Sequence, residues 1–383
     1  MKKIISGIVA LALGVLVSGV GASAANALPS TTSWTDAGLQ QMFSVKGHLT
    51  WSADGLGIES GQTGTIQVKR PANSSVIAAY LMVSTVGVAT APTDVKINDA
   101  AVTFSHTATE TTSGYSFTNY FSDVTSNVKT FIDDKTPGVI DIAVDNGAAQ
   151  LDPDAFITGD ALVVVFNTPS APSASFVLDF GTSNPAGDNF SLAYPALTQP
   201  ETADLEMSIG DAYSYGSGQT SVVTVNGQTL SDQTGHFDDC STFAQDNTNC
   251  IDPALITVGG VGDNLTNPTP GGTWSPTSDD ELYSLSPFVH VGDTQIAVNT
   301  LNASNDDNLF MAAFYLKDVA VTGAAPVSSL GAITTPKVDP VTPSKPTLAN
   351  TGANGSIMLL SFVIAGMLIA GGSVALVSAK RRS

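Results

Sequence analysis

The chain has 383 residues, 34 of them acidic and 14 basic, for a net charge of −20 at neutral pH. A surface that acidic repels nucleic acid and anionic lipid and sets both aside as partners. Apolar residues make up 43% of the chain. They are patterned, which excludes a disordered chain; the many Thr, Ser, Val, Gly and Asn residues fit extracellular β-structure.

Residues 1–27 read as a signal peptide. Lys2 and Lys3 supply a basic start, Ile4 to Val20 is almost wholly apolar or small, and two small-residue sites follow, Ala22-Ser23-Ala24 and Ala25-Asn26-Ala27. A signal peptidase would cut after Ala24 or after Ala27.

From about Trp51 to Val321 the chain reads as strands. Thr65 to Lys69 alternates, while Ser75 to Val86 and Ala161 to Phe166 are long apolar runs suited to buried strands. Ser221 to Val225 alternates and meets Asn226-Gly227, a hairpin turn in which both residues tolerate positive φ. One short helical turn is expected in Asp123 to Ile132. The fold class is all-β: two tandem, related β-sandwich halves of jelly-roll type, at 31–170 and 171–322.

Repeated landmarks carry the two halves. Val95-Lys96-Ile97-Asn98-Asp99 matches Val223-Thr224-Val225-Asn226-Gly227, and Tyr120 to Val124 matches Tyr283 to Pro287. Gly138 with Ile142-Ala143-Val144 matches Gly292 with Ile296-Ala297-Val298. An acidic loop follows each, and then a long apolar strand, Ala161 to Phe166 or Leu309 to Phe314.

Cys240 and Cys250 are the only cysteines. In an exported chain they are expected to pair, closing a short loop worth on the order of 3 kcal/mol. The other readings are free thiols and an internal thioester, which needs a lone cysteine. His48, His106, His236 and His290 are dispersed and read as ordinary strand or loop residues. There is no His-Glu-x-x-His or Gly-x-Ser-x-Gly signature. Carboxylate pairs are frequent, as at Asp238-Asp239 and Asp279-Asp280-Glu281. Most read as solvated turns, with the acidic loops Asp152–Asp160 and Asp279–Glu281 as candidate contact or cation sites. Asp152, Asp154, Asp306 and Asp307 fall at matching places in the two halves and are candidate calcium ligands, calcium being the one cofactor this sequence suggests.

Residues 323–347 form a linker with five prolines among Thr, Ser, Val and Ala. Residues 348–383 begin with Leu348-Ala349-Asn350-Thr351-Gly352, pass into the uncharged run Ile357 to Val377 and end in Lys380-Arg381-Arg382. The run has 21 residues and, as a helix, reaches roughly 30 Å, the thickness of a bilayer core. The basic tail places the body outside the cell. If both ends are processed away, 9 basic residues face 34 acidic ones, a net charge of −25.

This order resembles the cell-wall sorting signal of Gram-positive surface proteins. The Leu-Ala-x-Thr-Gly form is similar to signals read by sortases of high-GC, actinobacterial species; the commoner form has Pro where this chain has Ala349. The resemblance implies that sortase cuts between Thr351 and Gly352 and passes the Thr351 carbonyl to a peptidoglycan amine. Scattered pieces also resemble secreted bacterial surface proteins with β-sandwich, adhesin-like domains: Gly64 to Val68, Ala79-Tyr80-Leu81, Asp123-Val124-Thr125 and Ala161 to Pro169. That resemblance implies a setting and an architecture and transfers no active-site residue.

The expected function is adhesion or ligand binding by a wall-anchored, non-enzymatic protein that meets an extracellular ligand. The alternatives are an anchored hydrolase using a carboxylate pair and a passive coat protein.

Overall fold

Apolar runs without polar alternation need cover on both faces. The computed structural model describes residues 32–57, 63–88, 90–111, 116–147, 155–184, 186–197, 205–212, 221–235, 256–265, 267–271, 281–302 and 308–327. The signal segment, both cysteines, the four candidate calcium ligands, most of the linker and the whole sorting segment lie outside those residues.

The first series of elements is β1 (Thr32–Thr35), β2 (Gln40–Gly57), β3 (Thr63–Arg70), β4 (Ser75–Val86), β5 (Lys96–Ile97), β6 (Ala100–Ala101), β7 (His106–Glu110), β8 (Phe117–Asp123), α1 (Thr125–Asp133), β9 (Gly138–Asp145) and β10 (Phe156–Asn167). The second is β11 (Ser173–Phe180), β12 (Asp188–Ala193), β13 (Leu205–Ala212), β14 (Ser221–Val225), β15 (Gln228–Thr234), β16 (Ile256–Val258), β17 (Leu282–Ser284), a 3-10 turn at Ser286–Phe288, β18 (Gln295–Asn302) and β19 (Asn308–Lys317). A short β20 (Ala325–Pro326) follows.

One large sheet runs β1-β7-β8-β4-β10-β2, and a second continues from it as β2-β11-β19-β13. β16 and β17 share the outer edge of β13. Two small sheets, β3-β9-β5-β6 and β12-β18-β14-β15, complete the fold. The 18-residue β2 joins the large sheets: residues 49–57 pair with β10 and residues 40–48 with β11. Strands therefore begin earlier than the one expected near Trp51, within the half expected from residue 31. Along β2, Phe43, Val45, Leu49, Trp51 and Ala53 face one way, and Ser44, Lys46, His48, Thr50 and Ser52 alternate with them.

Three cores result. β10 shows the logic: Leu162, Val164 and Phe166 enter the core beneath β3 and β9, while Ala161, Val163 and Val165 enter the central core between the large sheets. Phe121 of β8 meets Phe180 of β11 across that centre, with ring centroids 5.3 Å apart. β19 is divided the same way, with Ala312, Phe314 and Leu316 on the β12–β18 side and Met311, Ala313 and Tyr315 on the central side. Each fully buried large apolar side chain contributes about 1.5–3 kcal/mol, so these doubly covered strands hold the fold.

Much of the strand pairing repeats between the two series. β3–β9, β4–β10, β5–β6, β5–β9 and β4–β8 have counterparts in β12–β18, β13–β19, β14–β15, β14–β18 and β13–β17. The hairpin turns agree in detail. Asn98 (φ 47°) and Asp99 (φ 64°) match Asn226 (φ 48°) and Gly227 (φ 77°), the left-handed pair that a tight hairpin turn requires. The Asn98 N–H donates to the Ala143 carbonyl at 2.9 Å, and the Asn98 Oδ1 accepts from the Ala143 N–H at 3.3 Å. Asn226 does the same with Ala297, at 2.8 and 2.9 Å.

One residue-level match shifts. The Val124 N–H donates to the Ala79 carbonyl and the Leu285 N–H to the Leu205 carbonyl. The Thr125 N–H donates to Asp123 Oδ1 at 2.9 Å and the Ser286 N–H to Ser284 Oγ at 3.4 Å. Leu285, not Pro287, is thus the counterpart of Val124, two residues from the sequence match. The expected helical turn is the nine-residue α1, whose Val128 and Ile132 are buried.

A buried polar network ties the large sheets together. Asn308 Nδ2 donates to Asn119 Oδ1 at 2.9 Å and to Ser84 Oγ at 3.1 Å, and Asn119 Nδ2 donates to the Gly181 carbonyl at 2.6 Å. All three side chains are fully buried, so each hydrogen bond offsets a desolvation cost of about 1–3 kcal/mol.

Candidate functional site

The outer face of β12-β18-β14 forms a concavity of about 520 Å³. Strand alternation builds it. In β18, Ile296, Val298 and Thr300 are buried, which turns Gln295, Ala297 and Asn299 outward. In β12, Leu192 is buried and Asn189 and Ser191 are exposed. Register sets Ser191 beside Ala297, and Asn189 beside Asn299, with Thr224 of β14 on the other flank of Asn299. Ala297 and Ser191 leave a low floor between taller amides.

The Asn299 amide is held in place: Nδ2 donates to Asn189 Oδ1 at 2.9 Å and to the Asp188 carbonyl at 3.1 Å. That leaves Asn299 Oδ1, Asn189 Nδ2, the Gln295 amide and the Ser191 and Thr224 hydroxyls with hydrogen-bonding capacity that is not spent on one another. Every one of these groups is neutral.

The matching face of the first half is charged. Since Ala143 corresponds to Ala297 and Asn98 to Asn226, Asp141 stands at the place of Gln295, Asp145 at that of Asn299 and Lys96 at that of Thr224. Lys96 Nζ lies 3.5 Å from Asp145 Oδ2, and Gln67 Nε2 donates to Asp141 Oδ1 at 3.2 Å. There the polar groups pair with one another.

Of the perturbed carboxyls, Asp188 belongs to β12 itself: burial raises its pKa, against a hydrogen bond from the Asn184 N–H at 2.6 Å. The others lie elsewhere. Asp160 and Asp179 are buried, and burial pushes each up to about 7. Asp160 Oδ2 accepts from Asn146 Nδ2 at 2.5 Å, which opposes that rise. Asp179 Oδ1 has no partner. Asp54 is pushed up to about 6 by burial, against hydrogen bonds from the Gln67 and Gly55 N–H groups. It has a structural use: Asp54 and Ser52 of β2 accept from the Gln67 and Lys69 N–H groups and so satisfy the free edge of β3.

The expected site residues are only partly visible. Leu348, Ala349, Asn350, Thr351, Gly352, Cys240, Cys250, Asp152, Asp154, Asp306 and Asp307 all lie outside the described residues. Of the acidic triplet at 279–281, Glu281 is described. It is buried and accepts from the Gly235 N–H at 2.9 Å, so it caps a turn instead of facing a ligand. His48 is exposed, with Nδ1–H donating to the Ala171 carbonyl at 2.7 Å. His106 is buried beside Trp34 and Phe121, and burial lowers its pKa. Among the described residues no cluster of three His, Cys, Asp or Glu side chains could hold a metal ion. Among them also, no helix is long and apolar enough to cross a membrane. The neutral face was passed over in the sequence because it contains no charged, His or Cys residue. Its signal was the polar alternation of Gln295, Ala297 and Asn299 next to the Asn-Gly turn.

No family model matches the chain. No curated protein matches it either. Among solved structures it is similar to a β-porphyranase of glycoside hydrolase family 86 from the human gut bacterium Bacteroides plebeius. The identity is 12%, the match covers 72% of this chain and 37% of that one, and the TM-score is 0.20. The chain thus spans well under half the length of that structure, and a TM-score this low bears on neither fold nor activity.

Proposed function

We propose that this is a wall-anchored surface protein that binds an extracellular ligand on the outer face of its second half, without turnover. The observation that carries the binding role is the face itself. A repeated fold keeps paired charges on one copy of the face and a concave, neutral, hydrogen-bonding surface on the other. A passive coat would give no reason for that divergence. A carboxylate hydrolase would need acids at the concavity, and among the described residues its lining carries none.

Anchoring rests on the sequence order of the sorting pentapeptide, apolar run and basic tail. Sortase would join Thr351 to peptidoglycan after a signal peptidase has released the N-terminus. Thr351→Ala should move the protein from the wall fraction to the membrane or medium. Equal release of both forms by muralytic enzymes would reject anchoring. The cysteines of the exported protein would form one disulfide, Cys240–Cys250. Peptide mapping without reductant should recover the two peptides joined; two alkylatable thiols would contradict the pairing.

A further inference from the structure

We propose that the ligand held on the β12-β18-β14 face is a neutral oligosaccharide, an assignment that rests on the binding role above. Sugar hydroxyls both donate and accept hydrogen bonds, and so do amide and hydroxyl side chains. The lining offers Asn189, Ser191, Thr224, Gln295 and Asn299, with the Asn299 amide already oriented by Asn189 and the Asp188 carbonyl. A concavity of about 520 Å³ lies within the range of sites that take small ligands.

Charge argues against the other ligand classes. An anionic glycan would approach a chain of net charge −20 and find no cationic side chain among the described lining residues. A basic peptide would find no carboxylate among the described lining residues, although the matching face of the first half has two, Asp141 and Asp145. A lipid or apolar ligand would have to strip water from five polar side chains without replacing their hydrogen bonds, which is unfavourable. A neutral glycan replaces those bonds. Single-site affinity on so open a face would be weak, and many copies on one wall would raise the avidity.

The test is a glycan array probed with the full-length, detergent-solubilised chain, with neutral, sialylated and sulfated glycans side by side. Hits are then titrated against Gln295→Glu, Asn299→Asp and, as a control on the first half, Asp145→Asn. We expect saturable binding to a neutral glycan. It should weaken at least about tenfold, or about 1.4 kcal/mol, in the two face variants and stay unchanged in the control. The melting temperature of Gln295→Glu should be close to that of wild type and that of Asn299→Asp lowered only modestly by its two lost hydrogen bonds. Binding confined to charged glycans or to a protein would overturn the ligand class and leave the binding role standing. Neutral-glycan binding that survives both face variants would overturn the site. No saturable binding to any glycan or matrix protein would overturn the binding role as well.

Discussion

The outer faces of the two halves share a skeleton and differ in chemistry. Both have a central strand with a small outward residue at its middle, Ala143 or Ala297, and both are pinned by an Asn whose backbone and side chain bracket that alanine. Around it, the first half sets Lys96 against Asp145 and Gln67 against Asp141. The second half sets Asn299 against Asn189 and leaves Gln295, Ser191 and Thr224 unengaged. The inward residues cannot drift this way, because they fill close-packed cores where each lost methylene has a cost. Outward residues are free to change, so a duplicated sandwich can keep one face as plain surface and turn the other into a binding site.

The largest expected effect concerns the buried acids, one on each side of the comparison. A carboxyl whose folded pKa is raised contributes stability that is complete below its unfolded value near 3.8 and is lost as pH rises through the folded value. For Asp160 and Asp179 that loss is complete just above pH 7, and for Asp54 near pH 6. Denaturant melts should therefore show stability falling by several kcal/mol, to order of magnitude, between pH 5 and pH 8. Asp160→Asn and Asp179→Asn should each flatten this slope by a similar amount, because both carboxyls are pushed up to about 7. A flat profile would mean that these carboxyls are hydrated in solution.

A smaller effect tests the equivalence of the two turns. Asn98→Gly and Asn226→Gly keep the positive φ, remove the side-chain hydrogen bonds and free the unfolded chain somewhat, so each should cost about 0.5–1.5 kcal/mol. Asn226 should cost the more of the two, since its Nδ2 also donates to the Phe288 carbonyl at 2.8 Å. Urea melts of the two variants would show it. A large cost at one turn and none at the other would break the correspondence of the halves.

Much of the fold was legible because its strands are buried on two faces. Ser75 to Val86 and Ala161 to Phe166 could hardly be anything else, and the Asn-Asp and Asn-Gly turns fixed where the hairpins close. β2 was missed as one strand. Gly47, Gly55 and Gly57 interrupt its pattern, and its partners come from both halves, which no local window shows. The two-residue slip between β8 and β17 has a period-2 cause: Tyr120 and Tyr283 lie on the same face of equivalent strands, so a match on the aromatic alone stays in phase while losing register. The proposed binding face was illegible because charge, metal ligands and nucleophiles are what mark a site in sequence. Asn, Gln, Ser and Thr on a strand read as ordinary surface until neighbouring strands bring them together.

The central claim is that neutrality of the second face is its function, and one titration tests it most directly. The variant Thr224→Lys/Asn299→Asp carries over the ion pair that the first half holds between Lys96 and Asp145. An exposed pair of this kind changes stability by at most about 1 kcal/mol, and the two hydrogen bonds lost from Asn299 Nδ2 cost about 0.5–1.5 kcal/mol each, so the melting temperature should fall modestly with the fold intact. Calorimetric titration with the neutral oligosaccharide should show saturable binding for wild type and none at the same concentrations for the double variant. Equal affinity in the two proteins would contradict the account.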